Sequence, residues 1–311
     1  MKYKVMISAP YMHYEKEKIL GYLKEYDWEV DWISVKERLE EHELLKLIPN
    51  YHGIICGDDR FSAAVYETAK RLKAVVKWGT GIDSIEVEEA TKRGIRVFRT
   101  PNAFTVPVAE TTLAYMLSFA RNVIENDNIL KSNGWSKPQG FSMSEKTVGI
   151  IGFGMIGKAV ALRLNAFGTK VIIHDLTKFE TQELEKFNVT QVELNQLLEE
   201  SDFITLHCDL NPQSFHLINS KAFKKMKKKP YIINTARGPI IEEAALIEAL
   251  NSGSIKGAGL DVFEEEPLSL TSPLRKKTNV LLAAHNSNSS QYYWDYVHKN
   301  SLKMMDQGLK S

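Results

Sequence analysis

The chain has 311 residues, 43% of them hydrophobic and 25% charged, and a formal net charge of +1. This length and apolar content fit a protein of two medium domains with sizeable cores, and a near-neutral balance gives no electrostatic footprint for nucleic acid. Met1 to Ser8 is too short and polar for a signal peptide, no apolar run reaches membrane-spanning length, and Cys56 and Cys208 lack metal-ligand spacing, so the expectation is a cytoplasmic protein with reduced thiols and no metal.

In chain order, short β-rich runs at Tyr3 to Ser8, Glu29 to Ile33, Gly53 to Cys56, Ala74 to Trp78 and Ile95 to Phe98 alternate with amphipathic stretches. Those stretches are His13 to Tyr26, Leu39 to Leu47, Ser62 to Leu72 and Ile85 to Arg93. Such alternation implies crossover connections and a parallel sheet. Pro101 and Pro107 then precede Val108 to Ile124, which reads as one long apolar helix entered through a hinge.

The next apolar run, Val148-Gly149-Ile150-Ile151, leads into Gly152-Phe153-Gly154-Met155-Ile156-Gly157 and then a helix-forming stretch from Lys158 to Leu164. A glycine pattern joining strand to helix is a dinucleotide-binding fingerprint: Gly152 for the tight turn, Gly154 for approach to a pyrophosphate, Gly157 for close helix packing. The helix N-terminus then faces the phosphates. Asp175 ends the following strand run, Lys170 to Asp175, roughly 20 residues on, where an acidic residue accepts from ribose hydroxyls and disfavours a 2′-phosphate. NAD is therefore the expected cofactor, with Lys178 close enough to weaken the preference over NADP.

Further strand candidates follow at Asp202 to His207, Tyr231 to Thr235, Gly257 to Val262 and Asn279 to Ala283, and a helical stretch from Gln291 to Met305 could return to the first domain. The basic run Lys224 to Lys229 follows an apparent helix, where cations offset the dipole, and reads as a solvated helix end. Carboxyl ends of parallel strands are where α/β folds place ligands, and three of them deliver Arg237, Glu266 and His285. Arginine can fork two hydrogen bonds onto a carboxylate, histidine can pass a proton near neutral pH, and glutamate can orient that histidine and favour its charged form. Taken singly, Arg237 reads as a surface cation, Glu266 as part of an acidic loop, and His285 as a strand cap; together they describe carbonyl reduction beside a carboxylate.

With these motifs the chain resembles, over nearly its whole length, the D-isomer-specific 2-hydroxyacid dehydrogenase family, which includes phosphoglycerate and glycerate dehydrogenases. The resemblance implies an α/β fold of two doubly wound parallel-sheet domains: a flavodoxin-like substrate domain (1–101 plus 286–311) and a Rossmann NAD-binding domain (102–285). It implies an enzyme that interconverts a D-2-hydroxy acid and its 2-keto acid, with a phosphoglycerate or a glyoxylate/hydroxypyruvate type of substrate, and domain closure over that substrate. On the motif Asn234-Thr235-Ala236-Arg237-Gly238 it gives Arg237 to the substrate carboxylate and keto oxygen and places Thr235 and Ala236 at the cofactor. It carries Glu266 and His285 over as the catalytic pair and Asp261 to the nicotinamide amide. Met155 and Ile156 become pyrophosphate donors, and Gly79 and Thr80, in Lys77-Trp78-Gly79-Thr80-Gly81-Ile82-Asp83, bind the substrate carboxylate, with Thr80 near the nicotinamide. It assigns Trp135 to packing and implies a homodimer through the 102–145 excursion.

The chain departs from the family pattern at Ala284, at Met155 and at Cys208 to Pro212, and its 286–290 segment is unusually polar. A phosphorylated substrate would need a further cation, for which Arg60 and Lys77 are candidates, and a C-terminal regulatory domain is not expected. The alternative is a non-catalytic, NAD-sensing binding protein, similar to co-repressors, on the same scaffold; a structural oligomerisation module is the other rival.

Overall fold

A computed structural model describes residues 2–310. It divides into two compact units, one formed by Met1–Phe104 with Ser289–Ser311 and the other by Thr105–Asn288. The first crossing falls after Phe104 rather than Pro101, because Phe104 is buried and packs on Trp78 with ring centroids 5.4 Å apart. The second follows Asn288, because main-chain groups just after His285 are held by Asp261 of the second unit.

The first unit carries β1 (Tyr3–Ile7), β2 (Trp28–Trp32), β3 (Gly53–Cys56), β4 (Ala74–Lys77) and β5 (Arg96–Phe98). They pair in parallel in the order β2-β1-β3-β4-β5, the flavodoxin-like arrangement. Every residue of β3 and β4 is buried, as central parallel strands covered on both faces must be, which is why these runs are continuously apolar up to Lys77. The amphipathic stretch from His13 forms two helices, α1 (Pro10–Tyr14) and α2 (Lys16–Leu23), interrupted at Glu15. The C-terminal helix, Gln291–Lys310, lies on β3 and β4. Glycine permits that close approach: a Cβ on Gly308 would sit 2.5 Å from the Ala74 Cβ, and one on Gly53 would strike Met305.

The second unit holds β6 (Thr147–Ile151), β7 (Lys170–His174), β8 (Thr190–Gln191), β9 (Phe203–Leu206), β10 (Tyr231–Asn234), β11 (Gly257–Leu260) and β12 (Val280–Leu282). All pair in parallel, in the order β12-β11-β10-β9-β6-β7-β8. This is a Rossmann sheet whose strand order reverses between β6 and β9. Its two faces carry separate cores, with Ile151, Ile204 and Ile232 on one and Ile150, Phe203 and Ile233 on the other. That division follows from the two-residue period of a strand.

The long helix expected at Val108 to Ile124 runs instead over Thr105–Ala120, and Asn122 breaks the chain at φ 50° before a second helix, Val123–Lys131. Pro107 lies inside the first turn, where the missing N–H has no intrahelical acceptor to lose. The basic run ends Ser220–Lys225 as a solvated helix end, with Lys227 on Glu199 and Lys228 on Asp202. No helix among the described residues is long and apolar enough to cross a membrane.

Candidate active site

The glycine loop leaves β6 with Gly152 at φ 92° and enters the helix Met155–Ala166 with Gly154 as its N-cap. A Cβ at Gly152 would lie 2.6 Å from the His207 carbonyl carbon, and one at Gly157 would strike the Gly152 carbonyl oxygen. Protein sterics therefore dictate glycine at the first and third positions. Around Gly154 there is open space, so glycine there is explained by a ligand whose backbone approach it allows. The N–H groups of Met155 and Ile156 belong to the first helical turn, where no intrahelical acceptor exists, and no side chain caps that end. Asp175 is tied to the same loop: its Oδ2 accepts the Phe153 N–H at 2.7 Å and its Oδ1 the Thr177 N–H at 2.8 Å. Lys178 does not join it, being paired with Glu193 at 3.2 Å on the surface. Open space at Gly154, an uncapped helix end and an oriented carboxylate fit an NAD pyrophosphate and ribose.

Beyond β10, the Asn234 side chain pins the turn that carries Arg237. Its Oδ1 accepts the Ala236 N–H at 3.0 Å, and its Nδ2 donates to the Arg237 carbonyl at 2.9 Å. The Arg237 Nη1 donates to the Ala236 carbonyl at 2.9 Å, and Thr235 is buried with its hydroxyl 3.2 Å from that of Thr112. A Cβ on Gly238 would run into the backbone of Phe263 and Glu264, so glycine brings the Arg237 turn against the loop that follows β11. That loop carries Glu266, whose Oε1 accepts the Phe263 N–H at 2.9 Å and whose Oε2 lies 2.9 Å from Nδ1 of His285. His285 has φ 48°, a left-handed backbone uncommon outside glycine, though enriched for histidine, asparagine and aspartate, and one that clusters at active sites.

Asp261 does a task that its motif did not reveal. It is fully buried, and its two carboxylate oxygens accept the N–H groups of Asn286 and Ser287, each at 2.8 Å, while its carbonyl accepts that of His285 at 2.7 Å. The resemblance gives this residue to the nicotinamide amide; in the fold its carboxylate organises the His285 loop. Asn234, the last residue of β10, holds the turn before Arg237, a task that the sequence reading did not assign to it.

On the first unit, Gly79 sits at φ 122° just beyond β4, with its carbonyl accepting the Thr100 N–H at 2.8 Å. The Thr80 hydroxyl donates to the Thr100 carbonyl at 3.0 Å. The N–H groups of Gly79, Thr80 and Gly81 have no acceptor among the described residues and are available to an anion. Arg60 is half-exposed and 3.9 Å from Glu40, whereas Lys77 is buried against Asp58. Trp135, expected in packing, is 82% exposed. Both thiols are neutral: burial pushes Cys208 up to about 11 and Cys56 well above the ordinary thiol range.

Residues 113–287 match the family described as D-isomer specific 2-hydroxyacid dehydrogenase, NAD binding domain. Over 262 residues the chain is 40% identical to a glyoxylate reductase of Thermofilum pendens, covering 82% of this chain and 76% of that one. The chain belongs to the D-isomer-specific 2-hydroxyacid dehydrogenases. It is also 38% identical over 291 residues to a hydroxypyruvate reductase of Thermotoga maritima, covering 91% of each chain. A solved structure of D-lactate dehydrogenase from Aquifex aeolicus, complexed with NAD and lactic acid, superposes with a TM-score of 0.87 at 25% identity, over 99% of this chain and 95% of that one. As a member of this dehydrogenase family the chain is an NAD-dependent enzyme that interconverts 2-hydroxy and 2-keto acids. The non-catalytic alternative is not favoured.

Proposed function

We propose that the enzyme reduces a small 2-keto acid of the glyoxylate or hydroxypyruvate type, with Arg237, Glu266 and His285 as its catalytic residues. The observation that carries this reading is the 2.9 Å contact between Glu266 Oε2 and His285 Nδ1, which pairs a carboxylate with the imidazole at the end of the last strand. NADH, when bound, supplies the hydride for the keto carbon. The imidazolium Nε2–H gives its proton to the keto oxygen, so the carbonyl becomes a hydroxyl and the ring is left neutral for recharging from solvent. Arg237 draws electron density from the same oxygen and orients the carboxylate, a role suited to a planar fork of donors. The unengaged amides of Gly79 and Thr80 take the carboxylate on the first unit.

The NAD pyrophosphate would rest on the loop of Gly152, Gly154, Met155, Ile156 and Gly157, and its ribose on Asp175. Thr235, Ala236, Thr80 and Asp261 are placed near the nicotinamide end. Val123, Ile124, Leu130 and Trp135 are all exposed on one excursion of the second unit, which supports a homodimer formed through that excursion. The unbridged cysteines Cys56 and Cys208 support a cytoplasmic location.

The test is NADH oxidation, followed at 340 nm, with glyoxylate, hydroxypyruvate and pyruvate. Turnover of the first two supports the reading, and no turnover of any of the three overturns it. A monomer in sedimentation would remove the dimer.

A further inference from the structure

The strand order of the first unit's sheet reverses between β1 and β3, and the carboxyl ends of the strands at such a switch point are where open α/β sheets take ligands. Polar side chains converge there: Ser8 after β1, Asp58 and Asp59 after β3, and Lys77 at the end of β4. The Lys77 Nζ lies 2.7 Å from the Asp58 Oδ1, with the Lys77 side chain only 5% exposed and that of Asp58 19%. Asp59 is fully buried, accepts the Leu39 N–H at 2.8 Å and the Ser8 hydroxyl, and so fixes the turn that presents Asp58.

A buried ion pair is poor support for a fold, because desolvation offsets most of the attraction and apolar side chains would serve as well. Its position suggests recognition. The Lys77 stem runs beside the loop that the proposed function gives to the substrate carboxylate, its Cε 4.0 Å from where a Cβ on Gly79 would stand. The pair therefore borders that loop.

We propose that the Lys77–Asp58 pair is a specificity filter for the substrate tail, accepting a neutral hydroxyl and rejecting a phosphate ester. This inference rests on the proposed function. A hydroxyl donates to the Asp58 carboxylate and accepts from the Lys77 ammonium, so both charges stay satisfied. A phosphate ester brings a charge of roughly −1.5 to −2 to a cation already neutralised by its carboxylate, and meets that carboxylate as a like charge. Arg60 is half-exposed and lies 3.9 Å from Glu40, a carboxylate it shares with Arg38.

The test compares kcat/KM for hydroxypyruvate, its 3-phosphate ester and glyoxylate, which has no tail. The wild type should prefer hydroxypyruvate to the ester by about 100-fold or more, and Asp58→Asn should narrow that ratio by about tenfold through gain on the ester. Lys77→Met should lower kcat/KM for hydroxypyruvate roughly tenfold more than for glyoxylate, a split that general damage to the fold does not produce. Equal or better use of the ester by the wild type overturns the filter whether or not the variants fold. So does an unshifted ratio in Asp58→Asn, or in Asp58→Ser if the first variant is unstable. A wild type inactive on every 2-keto acid overturns the proposed function itself, whereas activity with an unshifted ratio overturns the filter alone.

Discussion

The Nδ1 of His285 lies 2.9 Å from the Oε2 of Glu266, and the other carboxylate oxygen is held by the Phe263 N–H. On the proposed assignment, Glu266 orients the ring through Nδ1 and the transferred proton is that of Nε2. His285→Asn should lower kcat by about 10²–10⁴-fold and leave the dissociation constant for NADH, read by fluorescence titration, nearly unchanged. Glu266→Gln should give a smaller loss in kcat. Lost NADH binding with normal turnover per bound cofactor would contradict the assignment.

Asp261→Asn separates two roles for one carboxylate. Asparagine can accept only one of the two N–H bonds from Asn286 and Ser287 without turning its amide towards a donor, and an unpaired buried donor costs about 1–3 kcal/mol. A lower melting temperature and a loss in kcat of about tenfold are expected, with NADH affinity retained. A selective loss of NADH affinity at unchanged melting temperature would return the residue to the nicotinamide.

Asp175→Ala removes the negative charge that a 2′-phosphate would meet. The ratio of kcat/KM for NADH to that for NADPH should fall by about tenfold or more. The KM for NADH should rise, since the Phe153 N–H loses its acceptor. A ratio that does not move would place the discrimination elsewhere.

Much of this was readable in the sequence because its cause is local. The fingerprint is a turn whose glycines are demanded within a few residues, and central strands such as Gly53–Cys56 and Ala74–Lys77 announce themselves as buried apolar runs. The edge strand Thr190–Gln191 did not, being too short for any period. Asn122 broke an apolar run that composition alone would have continued as helix. Within the site, Arg237, Glu266 and His285 carry the resemblance in their own motifs, while the Lys77–Asp58 pair and the grip of Asp261 on residues 286 and 287 join positions far apart in the chain. No spacing rule reaches those contacts; only the strand order brings them together.

Asp59 gives a pH-dependent prediction. Burial pushes its carboxyl from 3.8 up to about 6, with the Ser8 hydroxyl and Leu39 N–H opposing the shift. Between those values the folded chain keeps a proton that the unfolded chain releases, so this group's contribution to stability falls as pH rises through the window. The loss is complete above about pH 6. Asp59→Asn can keep both partners without carrying a charge, so it should be more stable than wild type at pH 7.5, by about 1–3 kcal/mol, and close to it at pH 4. Urea unfolding at the two pH values measures this; a variant that is less stable at pH 7.5 contradicts it.

The helix Gln291–Lys310 packs on β3 and β4, strands contributed by the other end of the polypeptide. Because synthesis runs from the N-terminus and domains fold as units, the nucleotide-binding unit, contiguous from Thr105 to Asn288, is complete before the helix that the substrate-side sheet still needs. The substrate-side sheet must wait, its β3 and β4 lacking their covering helix, until the last turns of the chain emerge. Strands β3 and β4 are thus made before the nucleotide-binding unit and covered after it, and truncating the chain before Met305 should leave nucleotide binding intact while exposing the sheet at Gly53 and Ala74 to aggregation.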